Sequence, residues 1–334
     1  MEPAARADRA ADPQPTPTPR RSHRPGRSQV WKGQLLAQGH VAHALAEREL
    51  LGLVDHPFVV KLERAFHDAR SVYFLMEPVL GGELYSLLHV LGRFAEGQAR
   101  FYAACIVAAF DHLHALRIVY RDLKPENLLL DGQGYLKLVD FGLATRLEPG
   151  GHATSLIGTP EYLAPEVLRA EPYGAAVDWW STGMLLFEML GGAPAFRGET
   201  KQEVFAKILN DAPRMLAPVS AACAELLDGL LDKQPATRTG SGGAAEVRAS
   251  AFFAGVDWGR LEARAEAAPY VPRIADKLDT SNVVHVDKYA APADGVDGGT
   301  WDRALEAGTL RAGADPFASF GALSRLSSDA RACG

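Results

Sequence analysis

Residues 120–127 read Tyr120-Arg121-Asp122-Leu123-Lys124-Pro125-Glu126-Asn127, and Asp140-Phe141-Gly142 follows after a short apolar run. Ala164-Pro165-Glu166 comes next along the chain. Asn127 and Asp140 offer hard oxygen donors, the kind that suits Mg²⁺. Asp122 carries a carboxylate able to accept or orient a hydroxyl proton. Lys124 carries a cation able to meet developing negative charge. If Asp122 and Asp140 were only turn residues, Lys124, Asn127 and Gly142 at their positions would be further coincidences.

Outward from this stretch, Leu128-Leu129-Leu130 and residues 135–139 flank Asp131-Gly132-Gln133-Gly134. That pattern predicts two strands joined by a turn. Phe101, Cys105, Ile106, Phe110 and Leu113 recur at helical spacing across 99–116. Val41, Leu45, Leu50, Leu51 and Val54 mark a second helical face, and residues 72–76 read as a strand. Beyond Pro165 the patterns are mostly helical up to about Phe253. Residues 1–27 contain Pro13-Gln14-Pro15-Thr16-Pro17-Thr18-Pro19. They cannot bury enough apolar surface to offset their ordering entropy, so disorder is expected there, with order beginning near Gln29. The cluster Arg20-Arg21-Ser22-His23-Arg24 reads as part of a solvated tail. Residues 255–334 lack clear periodicity and read as an extended tail.

The chain has 334 residues, 47% of them hydrophobic, which is ample for one large domain or two lobes. A formal net charge of -6 gives no pointer to nucleic acid. Cys105, Cys223 and Cys333 are too few and scattered for a disulfide framework or a zinc site. No apolar run is long enough to span a bilayer, and the N-terminus lacks the apolar stretch of a signal peptide. A reducing, cytoplasmic setting is expected.

The three motifs in this order resemble the catalytic half of eukaryotic protein kinases. Gly158-Thr159-Pro160-Glu161-Tyr162-Leu163-Ala164-Pro165-Glu166 and Val177-Asp178-Trp179-Trp180 narrow the resemblance to the AGC group of serine/threonine kinases. His56-Pro57-Phe58-Val59-Val60-Lys61-Leu62, the Tyr120-Arg121-Asp122 triplet and Asp279-Thr280-Ser281-Asn282 agree. Within that group they resemble the cyclic-nucleotide-dependent kinases, cyclic-GMP- or cyclic-AMP-dependent, and Gly134-Tyr135-Leu136-Lys137-Leu138-Val139-Asp140 leans toward a cyclic-GMP-dependent one. The resemblance implies an α+β bilobal fold with a truncated, β-rich small lobe and a mainly helical large lobe. Its implied divisions are a disordered segment 1–27, a partial small lobe and hinge 28–79, a large lobe 80–254 and an AGC-type tail 255–334.

ATP and Mg²⁺ are the implied cofactors, and transfer to protein Ser/Thr the implied reaction. Phosphoryl transfer asks mainly for positioning and neutralised charge. By resemblance Asp122 and Lys124 are catalytic, and Asn127 and Asp140 hold metal. Met76, Glu77 and Val79 form the hinge that meets adenine, and Glu83 borders the nucleotide. Glu47 matches the helix glutamate that pairs with the ATP-binding lysine. Leu51, Leu62, Tyr120 and Phe141 match a stack linking the lobes. Thr159 bonds the catalytic Asp and Lys, Glu166 and Arg238 form a buried ion pair, and Asp178 anchors the catalytic loop.

Glu83, Glu126 and Glu188 match carboxylates that bind arginines before the phosphorylated residue, so basic protein substrates are expected. The activation-loop phosphosite falls on Ser155, with Thr154 beside it. Arg121 and His43 match two groups that hold its phosphate, while Thr145 stands where a third, basic, group is expected. A regulatory cyclic-nucleotide-binding region or subunit would lie outside this chain.

The sequence departs from the family at one place above all. It has no Gly-x-Gly-x-x-Gly loop, so the first two strands of the small lobe are expected to be missing. Lys32 is the candidate ATP-binding lysine if the following turn is shortened, but an ungapped match puts Ser28 there. Val283 replaces the family's aromatic near adenine, and Phe317-Ala318-Ser319-Phe320 resembles a hydrophobic motif that docks on the small lobe. Three readings follow: an ATP-dependent kinase working with a reduced small lobe, a fragment of a kinase from a truncated gene model, or a pseudokinase that keeps the large lobe as an interaction module.

Overall fold

Residues 41–53 and 96–115 form helices and residues 71–76 a strand, as the apolar periodicity predicts. The computed structural model describes residues 22–24, 27–215, 217–276, 279, 281–282 and 316–322. In chain order the elements begin with β1 (Ser22–Arg24), β2 (Arg27–Trp31), α1 (Lys32–Ala37), α2 (Val41–Leu53), β3 (Leu62–His67) and β4 (Ser71–Met76). Then come α3 (Leu84–Leu91), α4 (Glu96–Ala115), β5 (Ile118–Val119), β6 (Leu128–Leu130), β7 (Leu136–Leu138) and β8 (Thr145–Arg146). Helices follow: α5 (Pro165–Leu168), α6 (Ala176–Gly191), α7 (Lys201–Asn210), α8 (Ala221–Leu230), α9 (Ala244–Arg248) and α10 (Trp258–Glu262).

The small lobe is a four-stranded antiparallel sheet in the order β1-β2-β4-β3, covered by α1 and α2. This corrects one expectation. Order begins by Ser22, not near Gln29, and the strand Ser22–Arg24 falls within the segment expected to be disordered. Composition hid the hairpin. Pro25-Gly26 between the strands is turn chemistry, which the Pro- and Arg-rich flank masked.

The large lobe is built on α4 and α6, which pack on each other. Ala-rich α4 favours the helical state intrinsically, and Gln98 Oε1 accepts the Ala95 N–H at its start. His112 and His114 sit in its last turn, where the helix dipole favours positive charge. Helix α6 is buried nearly all round, and Trp179 and Trp180 are fully enclosed. It is therefore an internal post, not an amphipathic surface helix.

Two stitches hold the lobes around the cleft. The segment before β3 joins β7, with Val60 N–H donating to Leu138 O (2.9 Å) and Leu138 N–H to Phe58 O (2.8 Å). The hinge joins β6, with Gly81 N–H donating to Leu130 O (2.7 Å) and Leu130 N–H to Gly82 O (2.8 Å). Gly82 has φ +88, and a Cβ there would stand 2.5 Å from Asn282 O, so the tail packs against the hinge only because this residue is glycine. Thr280 and Val283 of the tail motif lie outside the described residues.

Candidate active site

The hairpin β6–β7 puts the catalytic-loop residues and Asp140 side by side. Leu128 pairs with Leu138, and Val139 N–H donates to Asn127 O at 3.0 Å. Within the loop, Lys124 Nζ donates to Asp122 Oδ2 (2.9 Å) and Thr159 Oγ1 (3.0 Å), and Thr159 Oγ1 donates to Asp122 Oδ1 (2.9 Å). The three side chains form a closed polar ring that ties the catalytic loop to the segment after the activation loop. Asn127 Nδ2 donates to Asp122 O and Oδ2, both at 2.8 Å. Its amide nitrogen is committed to Asp122, so its oxygen is the group left for a cation. Asp140 Oδ1 accepts Gly142 N–H at 3.0 Å. One amide and one carboxylate are a sparse set for an all-protein cage. They suit Mg²⁺, which keeps waters and phosphate oxygens among its ligands.

Arg121 and Asp140 have φ of 67° and 58°, a left-handed conformation that non-glycine residues rarely take. Such strain persists only where the surroundings over-determine it. At Arg121 the restraint comes from Asp178 on α6, which is fully buried. Its Oδ1 accepts Arg121 N–H (2.8 Å) and its Oδ2 accepts Tyr120 N–H (2.9 Å), with His114 Nε2 also 2.9 Å from Oδ2. Leu51, Leu62, Tyr120 and Phe141 are all buried, with the Tyr120 and Phe141 rings edge to face at 5.4 Å. Glu166 and Arg238 form a bidentate pair at 2.6 and 2.9 Å, both buried.

The acidic residues gather beside the catalytic loop. Glu126 lies in the turn between Lys124 and Asn127, and α3, which Glu83 precedes, packs on that turn. Glu83 also bridges to Leu129. Glu188 on α6 accepts from the Tyr162 hydroxyl. Burial pushes its carboxyl up from the ordinary range, and the charge of Glu126 adds to the shift, while the Tyr162 bond and Arg197 oppose it. Glu126 and Glu188 therefore share one electrostatic neighbourhood. At the hinge, Met76 ends β4, Val79 is buried, and Glu77 receives Lys137 Nζ at 2.7 Å. The sequence offered a signal for Lys137, a lysine between two inward leucines of a short strand.

Lys32 stands where strand β2 gives way to helix. It opens α1, with its Nζ 2.9 Å from His67 Nδ1 and 5.3 Å from the centroid of the Phe317 ring. Phe317 and Phe320 are fully buried, and Phe320 packs edge to face on Phe74 at 5.5 Å. The described tail turn thus docks on β3 with Lys32 in its pocket. Ser28 lies inside β2 opposite Phe74, fully buried, and its hydroxyl has no hydrogen-bond partner among the described residues. Glu47 is buried on α2.

On the activation loop, Arg121 Nη1 donates to Ser155 Oγ at 3.1 Å. Ser155 and Thr154 are exposed. Among the described residues no hydrogen bond joins His43 to Ser155; His43 is exposed on α2, its ring against His40 at 5.2 Å. Thr145 pairs with Val119 in the β5–β8 ladder.

A family model for the protein kinase domain matches residues 30–253. Serine/threonine-protein kinase sgk-1 of Caenorhabditis elegans is 42% identical over 75% of this chain and 55% of its own length. Protein kinase 2 of Dictyostelium discoideum is 40% identical over 79% of this chain and 55% of its own. A cGMP-dependent protein kinase of Drosophila melanogaster, isozyme 2 forms cD5/T2, is 39% identical over 82% of this chain and 30% of its own. The chain spans about half the length of the first two of these curated relatives, or less in the third.

Proposed function

Because the chain belongs to the protein kinase domain family, among the AGC serine/threonine kinases, we propose that it transfers a phosphoryl group from ATP to Ser/Thr of basic proteins. The observation that carries the reading is the closed ring of Asp122, Lys124 and Thr159 with Asn127 bonded into it. Asp122 receives or orients the acceptor hydroxyl proton, and Lys124 faces the charge that develops on transfer. Asn127 and Asp140 would hold the metal, and Glu77 and Val79 would meet the base of the nucleotide. When bound, ATP with Mg²⁺ supplies the phosphoryl group and neutralises its charge. Glu126 and Glu188, with Glu83 nearby, supply carboxylates for arginines of the substrate. Among the described residues no helix is long and apolar enough to cross a membrane. A cyclic-nucleotide regulator, as the name of the Drosophila relative suggests for that protein, would act on this chain from a separate region or subunit.

The test is peptide phosphorylation by the full chain with ATP and Mg²⁺. Asp122→Asn should abolish transfer while sparing nucleotide binding, whereas Asp140→Asn should also lose magnesium-dependent binding. An Asp122→Asn variant as active as the unmodified chain would refute the assignment.

One observation favours a second reading, a catalytically impaired interaction module. Ser28, with its orphaned hydroxyl, stands where the ungapped match places the ATP-binding lysine. On this reading the unmodified chain transfers nothing, and Ser28→Lys raises transfer above background.

A further inference from the structure

Tyr173 lies in the loop before α6, is only 3% exposed, and is used by none of the roles above. Its backbone and its phenol both reach the activation loop. The backbone pairs with Ala153 in a short antiparallel bridge, each N–H donating to the other's carbonyl at 2.9 Å. The phenol donates to Ser155 O at 2.7 Å, and lies 3.3 Å from Ser155 Oγ. Arg121 Nη1 reaches the same phenol oxygen at 3.3 Å, and Arg121 Nε donates to Leu143 O at 2.7 Å.

Tyr173 OH is therefore the shared vertex between Ser155 and Arg121. Arg121 directly precedes Asp122 and holds a strained backbone that Asp178 restrains. Fixing its side chain adds a second restraint on the catalytic loop. Thr145 stands where a third basic group is expected, and no hydrogen bond joins His43 to Ser155 among the described residues. The described residues around Ser155 place a phenol where such a loop would otherwise depend on phosphate and cations.

We propose that Tyr173 is a positioning residue that latches the activation loop to Arg121 without phosphate on Ser155. The latch acts chiefly through the Ser155 carbonyl, not its hydroxyl. Ser155 side-chain chemistry can then change while the loop stays ordered. Phosphate on Ser155 would engage Arg121 directly by a charge-assisted bond, which makes the phenol redundant. This inference deepens the regulation of the proposed active site and rests on that reading only for its meaning, not for its test.

The experiment is hydrogen exchange over residues 150–158 of the full chain. It compares the unmodified protein, Ser155→Ala, Tyr173→Phe, and Tyr173→Phe carrying phosphoserine installed at 155. Tyr173→Phe keeps the buried ring and removes only the hydroxyl. Losing one or two net hydrogen bonds should speed local exchange about 10-fold. Ser155→Ala should stay within about 2-fold of the unmodified chain, since the carbonyl bond survives. Phosphoserine should restore protection in the Phe variant, which a mere packing role would not allow, while exchange in α6 stays constant in all four. Unchanged exchange in Tyr173→Phe, equal loss in Ser155→Ala, or no rescue by phosphoserine would each overturn the latch. None of these measurements uses catalysis, so a chain that proved inactive would sink the proposed function and leave this test intact.

Discussion

Glu166→Gln removes one charge from the most enclosed ion pair described, and its effect can be sized from the structure. Arg238 is 0% exposed and Glu166 1% exposed, so the variant leaves a guanidinium charge without its counter-charge in a dry site. Breaking a buried pair by removing one partner typically costs about 3–5 kcal/mol. Arg238 keeps some support here. Its Nε donates to Asp232 O and its Nη1 to Ala176 O, each at 2.9 Å, and its guanidinium lies 5.2 Å from the Trp180 ring. The glutamine carbonyl replaces one of two lost acceptors. The lower end, about 3 kcal/mol, is therefore expected, a large share of the ~5–15 kcal/mol that holds such domains. Urea unfolding should show the midpoint falling by about 1 M if the slope is about 3 kcal/mol/M. Glu166→Leu with Arg238→Met should recover most of the loss, because apolar replacement of the whole pair leaves no stranded charge. A Gln variant as stable as the unmodified chain, or a double variant no better than the single one, would refute the reasoning.

Three further outcomes follow from particular residues. Lys32→Met should speed exchange of residues 316–322, since its amine lies 2.9 Å from His67 Nδ1 and 5.3 Å from the Phe317 ring and about 1 kcal/mol of cation–π contact is lost; unchanged exchange would remove Lys32 from holding the tail turn. His56 is held near pH 4 instead of its usual 6.5, by burial first and then by His112, Arg248 and Lys137. Its folded value is the lower one, so stability is fully present above pH 6.5 and falls as the unfolded chain takes up a proton between 6.5 and about 4. His56→Gln should flatten that part of the pH–stability curve, read from urea midpoints at pH 7 and 5. Glu126→Ala should cut the preference for an Arg-containing peptide over its Ala counterpart about 10-fold, as the loss of a charge-assisted bond worth about 1.5–3 kcal/mol implies; an unchanged preference would remove Glu126 from substrate binding.

Much of the large lobe was legible because its chemistry is local. Asp122, Lys124 and Asn127 lie within one short stretch, and the Asp131–Gly134 turn brings Asp140 back beside them. A fixed spacing there is itself a geometric statement. Pairs that meet only in three dimensions were legible where the family resemblance supplied them, as with Glu166 and Arg238. Tyr173 escaped notice because a lone loop tyrosine has no periodicity, and its partners Arg121 and Ser155 come from other segments. The small lobe was the least legible part. The same Pro- and Arg-rich composition that argues for disorder also contains the Pro-Gly pair between two hydrogen-bonded strands.

The choice between Lys32 and Ser28 shows why spacing alone could not decide. Counting residues from Glu47 favours Ser28, whereas residue chemistry favours Lys32. What separates them is the pleat. Along β2, Ser28 and Val30 are buried while Gln29 and Trp31 are half-buried, so the even positions face the core beneath the sheet. Their cross-strand partners Phe74 and Val72 share that face. Lys32 would be next in this alternation, but its N–H donates to Arg70 O and the chain turns into α1 at that residue. The amine is thereby carried off the strand to the end of β3, beside His67 and the docked Phe317. Here the helix starts at Lys32 itself, with the amine beside His67 and Phe317, while Ser28 faces inward with a hydroxyl that has no hydrogen-bond partner among the described residues.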